Sequence, residues 1–151
     1  MKNTRIVTIT LASLFVIAGC ARKPAAEAAA DREKKFEAMM SGVTLVGHST
    51  RLNQEGLFGE EKYVIDSVSK LTGETWLIHA RLQYGSRDLP VPVPVTIKWA
   101  GDTPVITLTD LTIPGLGTFT ARVLLYGDQY AGTWSAKDHG GQMFGKIVKS
   151  H

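Results

Sequence analysis

Five side chains here have the types that do chemistry near neutral pH: Cys20 and the histidines His48, His79, His139 and His151. Cys20 is the only cysteine, so no disulfide can form within the chain. No pair of histidines stands at a metal-binding spacing, and no metal site is expected. His79 shares the polar face of its segment with Arg81 and reads as a solvated surface residue. Asp138-His139-Gly140-Gly141 puts an acid beside an imidazole. Adjacent residues on a strand or turn point apart, however, and the two glycines suit a hairpin, so no catalytic pair is expected there. His151 is terminal. Glu60-Glu61 sits at a loop edge and reads as a solvated turn. Nucleophile-elbow, phosphate-loop and dinucleotide fingerprints are all missing from the sequence. The expectation is a protein that is not an enzyme and uses no cofactor.

Cys20 gains its meaning from what precedes it. Lys2 and Arg5 form a basic head, Ile6 to Ile17 is an uncharged apolar run, and Ile17-Ala18-Gly19-Cys20 follows. This order describes a secretory signal peptide. The apolar run falls short of the ~20 residues needed to span a bilayer. Residues 17–20 resemble the lipobox of bacterial lipoprotein precursors. The resemblance implies that the Cys20 sulfur takes a diacylglycerol and that cleavage frees an amine, usually acylated in turn. The protein would then hold a membrane through acyl chains. At ~0.8 kcal/mol per buried methylene one chain holds marginally, whereas two or three hold permanently. Within that family an aspartate after the cysteine favours inner-membrane retention. Ala21 and Arg22 stand here instead, which implies the outer membrane of a two-membrane bacterium. A lipidated thiol is no nucleophile.

Cleavage before Cys20 would leave 132 of 151 residues, enough for one domain with a real core. Without Lys2 and Arg5, 15 basic side chains remain against 14 acidic ones. That balance argues against a nucleic-acid partner, which demands a basic face. The expected organisation is a signal peptide over 1–19, a lipidated tether over 20–40 and an antiparallel β domain over 41–151. The tether is alanine-rich and charged. Phe36, Met39 and Met40 fall at i, i+3 and i+4, so a short helix there would have one apolar side. The tether is thus expected either as a short helix that closes one end of the domain or touches lipid or, in the form favoured because short isolated helices are marginal, as a frayed linker whose last turn packs on the domain.

From Gly42 onward branched and aromatic residues rise, and turn signals recur every ten or so residues. The pattern predicts strands near 42–50, 61–70, 74–84, 91–99, 104–112, 117–126, 129–137 and 142–149. Gly101-Asp102 and Gly127-Asp128 suit two-residue hairpins, and Ile113-Pro114-Gly115-Leu116 suits a type II turn. Short connections require antiparallel neighbours. The expected fold is therefore all-β, with about eight antiparallel strands in meander order, as a small barrel or barrel-like sandwich. Gly132 and Gly145 inside strands would mark its bends. Pro90, Pro92 and Pro94 delete the N–H donors along one side of their strand, which predicts a seam in the sheet. The main use of such an edge is to block aggregation; the other is a rigid rim beside an opening. In strand count, size and the Gly132-Thr133-Trp134 run, the domain resembles the calycin group, small barrels that hold apolar ligands. In lipocalins that run lies on the first strand, and here it lies on the seventh, so the resemblance reaches architecture only.

The alternation places Trp76, Ile78, Trp99 and Phe119 on the apolar side of their strands. They are the candidate ligand-binding residues, and they serve equally as a solid core, since an eight-stranded barrel is either packed or holds one small ligand. Two functions follow. The first is a membrane-anchored envelope lipoprotein whose β domain binds a small apolar or amphipathic ligand. The alternative is a structural or interaction lipoprotein that docks an envelope protein and has a solid core.

Overall fold

A computed structural model describes residues 24–84 and 86–150. The lipobox, Cys20 and the segment before them lie outside these residues. Helix α1 (Ala25–Met40) leads into eight strands: β1 (Val43–Ser49), β2 (Glu61–Thr72), β3 (Thr75–Tyr84), β4 (Arg87–Ala100), β5 (Thr103–Ile113), β6 (Gly117–Tyr126), β7 (Gln129–Ser135) and β8 (Gly140–Lys149). Every strand pairs antiparallel with its sequence neighbours, and β8 pairs with β1 from Val43↔Lys149 to Ser49↔Met143. The result is a closed eight-stranded barrel in meander order.

The turns explain the meander. Gly73, Gly101 and Gly127 each open a two-residue hairpin with φ of +53°, +67° and +59°. Positive φ at the first position matches strand twist and costs glycine little. Between β5 and β6, Leu116 N–H donates to the Ile113 carbonyl at 3.0 Å across Pro114-Gly115. Gly115 has φ +78°, which makes this the type II turn that the sequence predicts.

Of the two forms expected for the tether, the structure shows the helix and not the frayed linker. α1 is continuous over 16 residues and closes one end of the barrel. Its alanines favour helix, but packing decides the matter. Phe36 and Met40, one turn apart, are 2% and 0% exposed. The Phe36 ring meets Trp76 edge-on at 5.0 Å and Trp99 at 5.9 Å. Around this plug Lys70 pairs with Glu33 at 2.6 Å. Arg32 stacks 4.2 Å from the Trp99 ring centre and donates to the Gly101 carbonyl at 3.0 Å. The boundary at 40/41 therefore divides secondary structure, while the core runs across it.

On the inner face, glycines let the wall close tightly. A Cβ on Gly132 would lie 2.0 Å from the Arg122 carbonyl oxygen. One on Gly145 would lie 2.2 Å from that of Val46. At both positions the neighbouring strand comes too close for a side chain. Gly47 makes room for the Tyr130 hydroxyl, which would stand 2.4 Å from a Cβ there.

The wall is incomplete at one place. β4 pairs with β5 only from Thr96↔Thr107 to Ala100↔Thr103. Above that level β4 continues to Arg87 paired with β3 alone, and β5 continues to Ile113 paired with β6 alone. The chemistry of β4 accounts for this. Ile97 N–H donates toward β3, to the Glu74 carbonyl at 2.9 Å. Even-numbered residues of this strand thus face β5, and Pro90, Pro92 and Pro94 have no donor to offer there. Across the gap β5 bulges between Leu108 and Leu111, with Asp110 at φ +50° and its N–H donating to Thr120 Oγ1 at 3.0 Å. Pairing stops on both strands at the same level.

Candidate functional site

The end opposite the helix is the candidate site, and the alternation of the strands builds it. Ile78, Val93 and Val123 are fully buried at mid-barrel. Farther along the same inner faces, Tyr63, Leu82, Val91, Leu108, Phe119 and Met143 each keep part of their surface exposed. They line an apolar mouth, and the β4–β5 seam extends it down one side between Val91 and Leu108.

The four sequence candidates divide between the two ends. Trp76, 1% exposed, packs on Phe36 with half-buried Trp99 at the plugged end. Ile78 belongs to the buried middle. Phe119 is at the mouth, paired with Leu111 across β5 and β6. The structure does not bring the four together around one space. Two surface concavities lie along α1 instead. One of about 410 Å³ is bordered by Lys34, Glu37, Ala38 and Ser41, and the other, about 320 Å³, by Met39, Val43, Gly127, Ile147 and neighbours.

One polar group stands in the mouth that the sequence reading placed in solvent. Glu60 does face outward, with Lys62 3.0 Å away. Glu61 points inward and is half-buried, so the solvated-turn expectation fails for it. Its Oε1 accepts from Ser49 Oγ and its Oε2 from Tyr63 Oη, both at 2.6 Å. The signal for this was parity: Glu61 and Tyr63 are two and one steps from Ile65 on the same face of β2, ahead of its bulge. Burial, with the nearby Glu61 charge adding to it, pushes the Tyr130 hydroxyl up to about 12. On β7 the Trp134 indole N–H is buried with no acceptor.

Asp138 and His139 do meet, contrary to the expectation that they point apart. His139 Nδ1 lies 2.7 Å from Asp138 Oδ1, since the β7–β8 turn folds both onto one side. The imidazole hydrogen bond and its charge hold the Asp138 carboxyl below the usual range. The pair is exposed, and the His139 ring packs edge-on to Trp134 at 5.3 Å. His79 is exposed. Among the described residues no group of three or more His, Cys, Asp or Glu is placed to hold a metal. Among them also, no helix is long and apolar enough to cross a membrane.

No protein-family model matches the chain, and no curated protein matches it.

Proposed function

We propose that this protein is an outer-membrane lipoprotein, anchored through acyl chains on Cys20, whose barrel binds a small apolar or amphipathic ligand in its mouth. One observation carries the binding reading: the barrel is sealed at one end by Phe36 and Met40, while the other keeps an apolar lining partly exposed. Apolar side chains that converge with a few polar groups are the usual lining of a small-molecule site. Helix α1, the first described element after Cys20 in the sequence, packs at the plugged end, away from the mouth. The protein works by binding, without cofactor or catalysis.

Two experiments test the parts separately. Mass spectrometry of membrane-extracted protein should find acyl mass on an N-terminal Cys20 peptide, and Cys20→Ser should accumulate as uncleaved precursor. An unmodified protein starting elsewhere would refute the anchor. For the mouth, an apolar fluorescent probe should bind saturably at one site, and Phe119→Arg should abolish that binding without unfolding the barrel. A second reading rests on the outer wall. Leu124, Ala131 and Phe144 are neighbours in register across β6, β7 and β8, and Leu124 and Phe144 are 41% and 40% exposed. Absence of binding by every probe would make this row, docking an envelope protein, the better account.

A further inference from the structure

Taking the mouth as the binding site, we propose that its ligand is a single-tailed amphiphile with an ammonium head, and that Glu61 is the counter-charge. The tail would lie against Phe119, Leu82 and Val91, and the head would meet the carboxylate on β2.

Four other carboxylates of this protein stand beside a lysine or an arginine. Glu33 is paired with Lys70, Glu60 with Lys62, Glu74 with Lys98 and Asp88 with Arg81. All of these stand on the outside of the barrel or on the helix. Among the described residues Glu61 is a carboxylate turned into the apolar lining, and the two donors on its oxygens, Ser49 and Tyr63, are neutral hydroxyls. A carboxylate oxygen has two lone pairs. Each Glu61 oxygen therefore has room for one more donor after these bonds, and the two hydroxyls fix where that donor must stand.

Energetics favours a cation in that place. A charge drawn partly out of water costs free energy that neutral partners offset only in part, and an opposite charge offsets it best. The influence of Glu61 reaches deeper groups too, since its charge is one of two causes that raise Tyr130. An anionic head would meet repulsion from the same group. A neutral hydroxyl head can donate to a Glu61 oxygen but brings no charge to offset that of the carboxylate. Peptide strands are poor candidates for the adjacent seam, because Pro90, Pro92 and Pro94 leave β4 with acceptors but no donors on that side from 90 to 94.

The test uses the full chain and three probes with the same twelve-carbon tail: dodecylammonium, dodecanol and dodecyl sulfate, each below its micelle concentration. Dodecylammonium should bind about tenfold tighter than dodecanol, and dodecyl sulfate weakest. Glu61→Gln, which keeps an acceptor for the hydroxyls and removes the charge, should erase the preference while dodecanol binding stays. Ser49→Ala, which keeps the charge, should retain the preference. Equal binding of the three heads, or a preference that survives Glu61→Gln, would overturn the ammonium assignment and leave the mouth as an apolar site. Failure of all three probes to bind would remove the mouth reading itself.

Discussion

The two ends of this barrel are built from the same strands and the same alternation, yet they are different kinds of surface. At one end Phe36, Trp76 and Met40 are excluded from water by a helix laid across the strand ends. At the other, inward side chains of equal apolarity stay half-exposed around Glu61. The difference lies in what covers the strand ends rather than in the strands. A closed barrel removes sheet edges but not its two openings. Among the described residues the one helix lies on one end, and at the other the inward side chains stay partly exposed. Stability is thereby concentrated at the plug, and the mouth can carry a charge and an unpaired wall without endangering the fold.

The largest expected effect tests that division. Phe36→Ala empties a site between two tryptophans and should cost ~3–5 kcal/mol in urea unfolding. Phe119→Ala at the mouth should cost much less, ~1 kcal/mol, because water already reaches the ring. Equal costs would mean that the two ends are packed alike. Gly141→Ala comes next. Its Cβ would stand 1.9 Å from the Thr50 carbonyl oxygen, where the chain leaves β1 at the rim. Backbone must move, and a loss of ~1–3 kcal/mol is expected in the same measurement.

The strands were legible because each is a period-two pattern ended by a turn residue with a known conformational job. The seam was legible too: three prolines in phase state which side of β4 lacks donors. What escaped was the relation between distant parts. Phe36, Met39 and Met40 show an apolar face but not the tryptophans that make it a plug. In the sequence Glu61 stands with Glu60 at a loop edge, where strand bounds blur by a residue or two and one step of parity separates inside from outside. The Asp138–His139 contact depended on a turn whose shape two glycines leave open. Trp76, Ile78, Trp99 and Phe119 were correctly placed on inner faces, but alternation gives the face and not the height along the barrel. Height decides which of them belong to the plug.

Tyr130 offers a smaller effect, readable at high pH. Its hydroxyl is pushed up to about 12 in the folded protein, against an ordinary value of 10.0. The unfolded chain therefore releases this proton first. Stability associated with neutral Tyr130 is complete below pH 10 and is lost as pH rises from there through about 12. Tyr130→Phe should remove that part of the alkaline slope and one late step from the phenolate absorbance titration. A slope unchanged by the substitution would mean that the hydroxyl is as wet as any at the surface.

The smallest expected effect is the most direct probe of the unpaired wall. Along β4 the positions facing β5 are 90, 92, 94, 96, 98 and 100, and only the last three have a partner strand. Pro92→Val restores a donor at an exposed position without changing the inward faces of Val91 and Val93. If the gap stays open in solution, the new N–H meets water, and stability should move by less than ~0.5 kcal/mol. The amide should then exchange quickly in hydrogen-exchange measurements, unlike those of Thr96 and Lys98 on the same side of the same strand. If β4 and β5 instead close up, the donor should find a carbonyl, add ~1 kcal/mol and become protected. That outcome would reduce the mouth to the barrel end alone, without its side opening.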